Sequence, residues 1–157
     1  DSLFAIREVH ERYGHIQEVI VQNFRSKPDT PMAGCEEPAT ASLLRVVAVA
    51  RLIFGPEMNI QVPPNLTPRE YGAFLAAGIN DWGGVSPVTM DYVNPEAPWP
   101  RIARLRQVTE ERGFQLRARL PVYPEYVLRK PGFLPSSLAD RIRGMADAEG
   151  YARTEND

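Results

Sequence analysis

Short apolar stretches of this chain alternate with helix-like stretches, and the apolar ones end abruptly in amides, carboxylates, glycines or prolines. Three such junctions carry most of the information: 56–65 (PEMNIQVPPN), 78–84 (GINDWGG) and 119–126 (RLPVYPEY). Alternation of strand and helix is typical of parallel strands joined by right-handed helical crossovers. The sequence therefore predicts an α/β fold whose strands run into polar segments.

Periodicity and capping residues place nine elements along the chain. Helices are predicted, in chain order, over residues 2–13, 39–53, 67–77, 99–112 and 136–148. Strands are predicted over residues 15–22, 57–62, 79–81 and 114–120. Four parallel strands are too few to close a (β/α) barrel of eight, so the order predicts an incomplete barrel.

Two of the helices carry strong local signals. In helix 39–53, Leu43, Val47 and Ala50 share one face, which predicts its buried side. In helix 67–77, Thr67 and Glu70 have the spacing of a capping box, which predicts a helix that begins at once after Thr67.

The composition restricts the class of protein. A chain of 157 residues with 43% hydrophobic residues is expected to form one packed domain. A net charge of -2 provides no basic field for nucleic acid, and no apolar run approaches the roughly 20 residues that span a bilayer. The single cysteine, Cys35, excludes a disulfide framework and predicts a reducing, cytoplasmic location. Because the chain begins without Met, we expect it to belong to a longer polypeptide.

Active sites of α/β barrels lie at the carboxyl ends of the strands. The polar candidates at the predicted strand ends are Gln22, Asn23, Arg25, Asn59, Gln61, Asn65, Asn80, Asp81, Trp82, Arg119, Tyr123 and Glu125. No Ser–His pair, H-E-x-x-H motif or phosphate loop accompanies them. A lining rich in amides and hydroxyls suits the binding of a polar heterocycle or polyol while another agent does the chemistry.

Each of these groups also has a structural interpretation. The amides of Asn59 and Gln61 share one strand face. They can either hydrogen-bond a base or a pyrimidinedione ring, or form a hydrogen-bonded network within the packed lumen of the barrel. Asn80 and Asp81 can accept hydrogen bonds from ligand hydroxyl groups, with Trp82 covering the ligand as an aromatic lid. Alternatively, they can form an Asx turn that ends the strand.

The last predicted strand, 114–120, has one apolar face and one polar face. Gln115, Arg117 and Arg119 share the polar face. This pattern predicts either three polar side chains in the barrel lumen or an edge strand with a solvated face.

Several segments resemble FO synthases, the radical S-adenosylmethionine enzymes that make a deazaflavin chromophore. They are HIQEVIVQNFR, PEMNIQVPPNL, GINDWGGVSPVT, DYVNPEAPWP and LPVYPEYV, and they cover residues 13 to about 130. The resemblance implies the later half of a radical-enzyme (β/α) barrel over residues 1–134. It implies a terminal helix and a linker toward a possible second domain over residues 135–157.

The resemblance also implies S-adenosylmethionine and a [4Fe-4S] cluster as cofactors of the complete enzyme. The family holds its cluster on a C-x-x-x-C-x-x-C motif, and this chain has no such motif. We therefore expect no metal ligands in this chain, and we expect the chain alone to be inactive.

The implied reaction belongs to coenzyme F420 biosynthesis. It is the radical cyclisation of 5-amino-5-(4-hydroxybenzyl)-6-(D-ribitylimino)-5,6-dihydrouracil to 7,8-didemethyl-8-hydroxy-5-deazariboflavin. The step releases ammonia, so its class is a carbon–nitrogen lyase. Catalytic roles would fall to Asp81 and Arg119. The implied cofactor-binding residues are Asn59, Gln61 and Asn65. The implied substrate-binding residues are Gln22, Asn23, Arg25, Asn80, Trp82 and Tyr123. The implied partners are the missing N-terminal half of the barrel and a radical domain that transfers a 4-hydroxybenzyl group, with no nucleic acid and no membrane.

Three other interpretations remain open. A futalosine cyclase of menaquinone synthesis shares the barrel and a G-x-N-D-x-G-type segment, although DYVNPEAPWP is not expected there. A barrel lyase or aldolase would need a metal or a Schiff-base lysine, and neither Lys27 nor Lys130 lies at a predicted strand end. A non-catalytic fragment could pair through its open sheet edge. A C-x-x-x-C-x-x-C motif encoded upstream of Asp1 would favour a radical enzyme of either kind.

Overall fold

The computed structural model of the chain describes residues 1–86 and 88–153. Its helices are α1 (Ser2–Tyr13), α2 (Thr40–Phe54), α3 (Ala73–Ala77), α4 (Ile102–Glu110), α5 (Pro124–Leu128) and α6 (Ser136–Met145). Its strands are β1 (Glu18–Ile20), between α1 and α2, and β2 (Asn59–Gln61), between α2 and α3. Single 3₁₀ turns lie at Pro64–Leu66 and Pro131–Phe133.

The sheet is small and parallel. β1 and β2 pair in the register Glu18 with Asn59, Val19 with Ile60 and Ile20 with Gln61. Asp81 adds one parallel bridge to Gln61, where the sequence predicts a third strand. Because α2 joins the two paired strands, the predicted alternation of parallel strands and crossover helices is confirmed for this part of the chain.

α2 covers one face of this sheet. Its buried residues are Leu43, Val47 and Ala50, the face that the helical periodicity predicts. Ile60 of β2 points into the same core and is 0% exposed. The remaining buried members of this core are Val19, Met58, Val62, Tyr71, Phe74, Leu75, Ile79, Trp82 and Leu105. The sheet therefore buries one face against helices and leaves the other face for polar side chains.

The predicted helix 67–77 is shorter than its sequence signals indicate, since α3 begins only at Ala73. The capping box is not formed. The Thr67 hydroxyl is buried without a hydrogen-bond partner. The Glu70 carboxylate instead accepts a hydrogen bond from the Thr40 hydroxyl at the start of α2, at 2.6 Å. The Glu70 carboxylate is thus bound by Thr40 of α2 instead of capping a helix at Thr67. Residues 67–72 form turns.

The predicted strand 114–120 is wrong, since the structure has no strand there. Its backbone oxygens bind groups outside any sheet. The Arg106 guanidinium donates to the Leu116 carbonyl at 2.9 Å, and the Ala152 amide donates to the Ala118 carbonyl at 3.1 Å. The sheet of the described residues therefore has two strands and one bridge rather than four strands.

A second, smaller core joins residues on both sides of position 134. Leu120, Val127 and Ala146 form its buried centre. The domain boundary between 134 and 135 stays a prediction. Across residues 1–86 and 88–153, no helix has both the length and the apolarity needed to cross a membrane.

Candidate functional site

A cavity of about 800 Å³ lies beside the polar face of the sheet. Strand alternation puts Asn59 and Gln61 on the side opposite the buried Ile60, because successive side chains of a strand point to opposite faces. Of these two amides, Asn59 lines the cavity and Gln61 does not. The polar residues that line the cavity and matter most here are Asn59, Asn80, Asp81, Arg119, Tyr123 and Glu125. Six candidates from three separate sequence segments thus meet at one place.

Asp81 and Arg119 form a two-pronged ion pair in this cavity. The Arg119 Nε donates to Asp81 Oδ2 at 2.6 Å, and its Nη2 donates to Asp81 Oδ1 at 3.1 Å. The two side chains are only 11% and 18% exposed. Burial acts to lower the pKa of Arg119, but the Asp81 hydrogen bonds and charge raise it above its usual value. The guanidinium is therefore a fixed, permanently charged donor.

Tyr123 and Glu18 extend this pair into a cluster. Arg119 Nη2 donates to the Tyr123 hydroxyl at 3.0 Å, and that hydroxyl donates to Glu18 Oε2 at 2.7 Å. Burial, the Asp81 charge and the bond to Glu18 raise the pKa of the Tyr123 phenol, which therefore stays protonated. Glu18 is not among the polar candidates at the predicted strand ends, because it lies inside the first predicted strand rather than at its end.

The amides form a second network beside the first. Asn80 Nδ2 donates to Asn59 Oδ1 at 3.0 Å. Asn59 Nδ2 donates in turn to the Gln17 carbonyl at 2.9 Å and to Glu125 Oε1 at 2.6 Å. The amides of Asn59 and Asn80 are thus satisfied by protein groups, which agrees with the structural interpretation for Asn59.

Gln61 and Asp81 both contact the glycine turn that follows them. Asp81 Oδ1 accepts a hydrogen bond from the Gly83 amide, which is the Asx turn that the sequence allows. Gly83 has a φ of +81°, and a Cβ placed on it would lie 2.1 Å from Gln61 Nε2. Glycine is therefore required here both by the backbone conformation and by the close approach of Gln61.

Two predicted site residues are buried away from the cavity. Asn65 is 1% exposed, and its Nδ2 donates to Asp91 Oδ2 and to the Ala97 carbonyl, each at 3.0 Å. Asn23 is 8% exposed and donates to the Leu66 carbonyl at 3.2 Å. Both amides anchor loops, and neither lines the cavity.

Three further predicted residues also lie outside the cavity. Trp82 is a core residue rather than a lid: it is 6% exposed and its indole N–H donates to the Thr109 hydroxyl at 3.2 Å. Arg25 pairs with Glu37 at 3.1 Å, and Gln22 is exposed. Substrate contacts by Trp82, Arg25 and Gln22 therefore remain predictions, and the positions of these side chains outside the cavity do not support them.

The chain does not fit an iron–sulfur cluster. Such clusters are held by several cysteine thiolates, and Cys35 is a single exposed thiol. Among residues 1–86 and 88–153, no group of three or more His, Cys, Asp or Glu side chains could hold a metal ion. The cavity amides, in contrast, are chemically suited to hydrogen bonds with a polar organic ligand.

Parallel strands, a crossover helix and a polar cavity beside the sheet define an α/β protein whose cavity is lined by polar side chains. The chain is 58% identical over 153 residues to the 7,8-didemethyl-8-hydroxy-5-deazariboflavin synthase of Methanopyrus kandleri, covering 97% of this chain and 45% of that protein. It is 51% identical over 156 residues to the FO synthase of Streptomyces avermitilis, covering 99% of this chain and 18% of that protein. The corresponding synthase of Methanothermobacter thermautotrophicus is 51% identical over 145 residues, or 92% and 43%.

The resemblance to FO synthases is therefore confirmed: the chain is a relative of these proteins and is similar to one part of them. It spans less than half the length of each of these three relatives. No protein-family profile and no solved structure matches the chain significantly.

Proposed function

We propose that this chain is the later half of the barrel of an FO synthase and contributes substrate contacts to the radical cyclisation that forms the deazaflavin. The observation that carries the proposal is the identity of 51–58% to three synthases over 92–99% of the chain. These relatives favour FO synthase over a futalosine cyclase. DYVNPEAPWP, which is not expected in that cyclase, lies within the aligned length.

The ion-paired cluster is suited to a polar, ring-bearing substrate. Arg119 would donate to a carbonyl oxygen of the pyrimidinedione, and Asp81 would hold the guanidinium in place. The Glu18 carboxylate would accept a hydrogen bond from a ribityl hydroxyl in place of the one it accepts from Tyr123. These contacts use hydrogen bonds to charged groups, which are stronger than those between neutral groups.

The complete enzyme would need more than this chain. S-adenosylmethionine and a [4Fe-4S] cluster would supply the radical, and the cluster ligands would lie in the N-terminal half of the barrel. A partner radical domain that transfers the 4-hydroxybenzyl group would supply the substrate adduct. This chain alone would be inactive, the complete enzyme would act as a carbon–nitrogen lyase, and a cytoplasmic location stays a prediction.

The test is made in the full-length protein that contains this chain. Asp81→Asn and Arg119→Ala should each lower deazaflavin formation per assembled cluster by about tenfold to a hundredfold, because each loses a hydrogen bond to a charged group. Product is measured by deazaflavin fluorescence and cluster by iron content. Arg117→Ala is the matched control, since Arg117 pairs with Asp147 and Glu149 rather than with the cavity cluster. Unchanged turnover per cluster in both test variants would remove the two residues from the site.

A further inference from the structure

Arg51 lies in the last turn of α2, and its guanidinium binds backbone carbonyls just after α2 and α3. Its Nε donates to the Gly78 carbonyl, and its Nη1 donates to the carbonyls of Gly55 and Met58, each at 2.7 Å. Among the salt bridges of the described residues, none involves Arg51. Burial lowers the pKa of this guanidinium, because desolvation disfavours its charged form.

One donor of Arg51 reaches past the backbone to an amide of the cavity. Its Nη2 donates to Asn80 Oδ1 at 3.1 Å, and the Ile60 backbone amide donates to the same oxygen at 2.8 Å. An amide oxygen held by two donors, one of them charged, cannot exchange places with its nitrogen without losing both bonds. Asn80 Nδ2 must therefore point the other way, where it donates to Asn59 Oδ1 at 3.0 Å.

The orientation of Asn59 follows from that of Asn80. Because the Asn59 oxygen accepts from Asn80, its Nδ2 points away from Asn80 and donates to the Gln17 carbonyl at 2.9 Å and to Glu125 Oε1 at 2.6 Å. Both Nδ2 hydrogens are thus in use, and a ligand oxygen would be received in place of the Glu125 carboxylate, which lines the cavity. A flipped Asn59 would present an oxygen there and would repel such a group.

We propose that Arg51 is a positioning residue that acts through Asn80 to hold the Asn59 N–H donor toward the cavity, so that this position selects a carbonyl oxygen of the ligand. The inference rests on the proposed function for the identity of the ligand. The orientation of the Asn80 and Asn59 amides is independent of the proposed function, because it can be measured without enzyme activity.

The first experiment follows the Asn59 side-chain amide by NMR in the ¹⁵N-labelled chain, with the signals assigned by their loss in Asn59→Asp. Arg51→Lys should shift these signals although Arg51 does not hydrogen-bond Asn59. Arg45→Lys, on an exposed position of the same helix, should leave them in place. In an Asn80→Ala background, which keeps the backbone contacts of Arg51, the Arg51→Lys change should no longer move them. Unshifted signals, or an equal shift without Asn80, would overturn the proposal.

The second experiment measures kinetics in the full-length protein. Arg51→Lys should raise the KM for the pyrimidinedione adduct by about tenfold, while turnover per cluster stays within about twofold. Arg45→Lys should change neither. A lower turnover and lower cluster content with an unchanged KM would indicate a purely structural role and would overturn the ligand part of the proposal. If the wild-type protein forms no deazaflavin, the proposed function fails, and the amide signals still decide whether Arg51 positions Asn59.

Discussion

At Gly83 two polar sequence segments pack closely against each other. It has a positive φ, and the Gln61 side chain lies over its Cα. Neither property can be read from GINDWGG alone, which is equally compatible with an ordinary turn. The sequence indicates that a glycine is useful here, and the tertiary contact with Gln61 makes it necessary.

We expect Gly83→Ala to destabilise the chain by about 1–2 kcal/mol from the backbone conformation alone, with a further loss as Gln61 is displaced. Urea unfolding followed by circular dichroism measures the change. Gly84→Ala is the matched control, because nothing lies within 4 Å of a Cβ at that position and its φ is not positive. Equal stability losses in the two variants would contradict the close packing of Gln61 on Gly83.

His10 is a half-buried residue that predicts a pH dependence of stability. Burial, followed by the charges of Lys130 and His15, lowers its pKa below the ordinary value of 6.5. The folded state therefore favours neutral His10. Its contribution to stability is fully present above pH 6.5 and is lost as the pH falls through the lowered pKa.

The His10→Gln variant should lose less stability than the wild type when the pH is lowered from about 7 to about 5. Urea midpoints at several pH values measure this difference. His15→Gln keeps His10 and should retain most of the wild-type pH dependence. If His10→Gln and wild type show the same slope, His10 is not the group responsible.

At the scale of elements, the hydrophobic periodicity of α2 predicts its structure correctly, whereas the alternating pattern of residues 114–120 does not. α2 follows its periodicity because its apolar stripe packs on a sheet that is present beside it. The alternation in 114–120 is equally regular, but its carbonyls bind Arg106 and Ala152. A strand needs a neighbouring strand for its hydrogen bonds, and an alternating pattern cannot guarantee one.

Two neighbouring valines of α2 test the predicted buried face. Val47 is 0% exposed and Val46 is 44% exposed. Val47→Ala should cost roughly 2 kcal/mol of unfolding free energy, since it removes two methyl groups from the core and leaves a cavity. Val46→Ala should change stability by less than about 0.5 kcal/mol. Denaturant unfolding of both variants makes the comparison, and equal costs would show that the buried face is assigned wrongly.

At the scale of the whole molecule, the chain has a polar cavity and a single cysteine. The polar cavity gathers side chains from β2, from the turn after Ile79 and from the segment before α5. Cys35 is an exposed thiol on the loop before α2. In the enzyme proposed above, the cluster ligands would therefore come from outside this chain.

The isolated chain should therefore assemble no [4Fe-4S] cluster on anaerobic reconstitution, because one thiolate cannot hold it. Iron and sulfide content and the visible absorption near about 400 nm that is typical of thiolate-ligated clusters provide the measurement. The full-length protein under the same conditions is the control. Stoichiometric iron and sulfide on the isolated chain would contradict this expectation.

The sequence by itself determined the alternation of the first two strands with helices, the buried face of α2, the polar nature of the strand ends and the relation to FO synthases. These properties depend on local periodicity and on residue identity, which a single chain displays directly. Six of the side chains that line the cavity were also identified from their place after predicted strands: Asn59, Asn80, Asp81, Arg119, Tyr123 and Glu125.

Only the tertiary structure decided which of these side chains meet. Asp81 and Arg119 are 38 residues apart, Asn59 and Glu125 are 66 apart, and Glu18 and Tyr123 are 105 apart. The same packing placed Trp82 and Asn65 in the interior. A strand pattern specifies the face on which a side chain lies, but its partner depends on where distant segments return in space, and no local pattern contains that information.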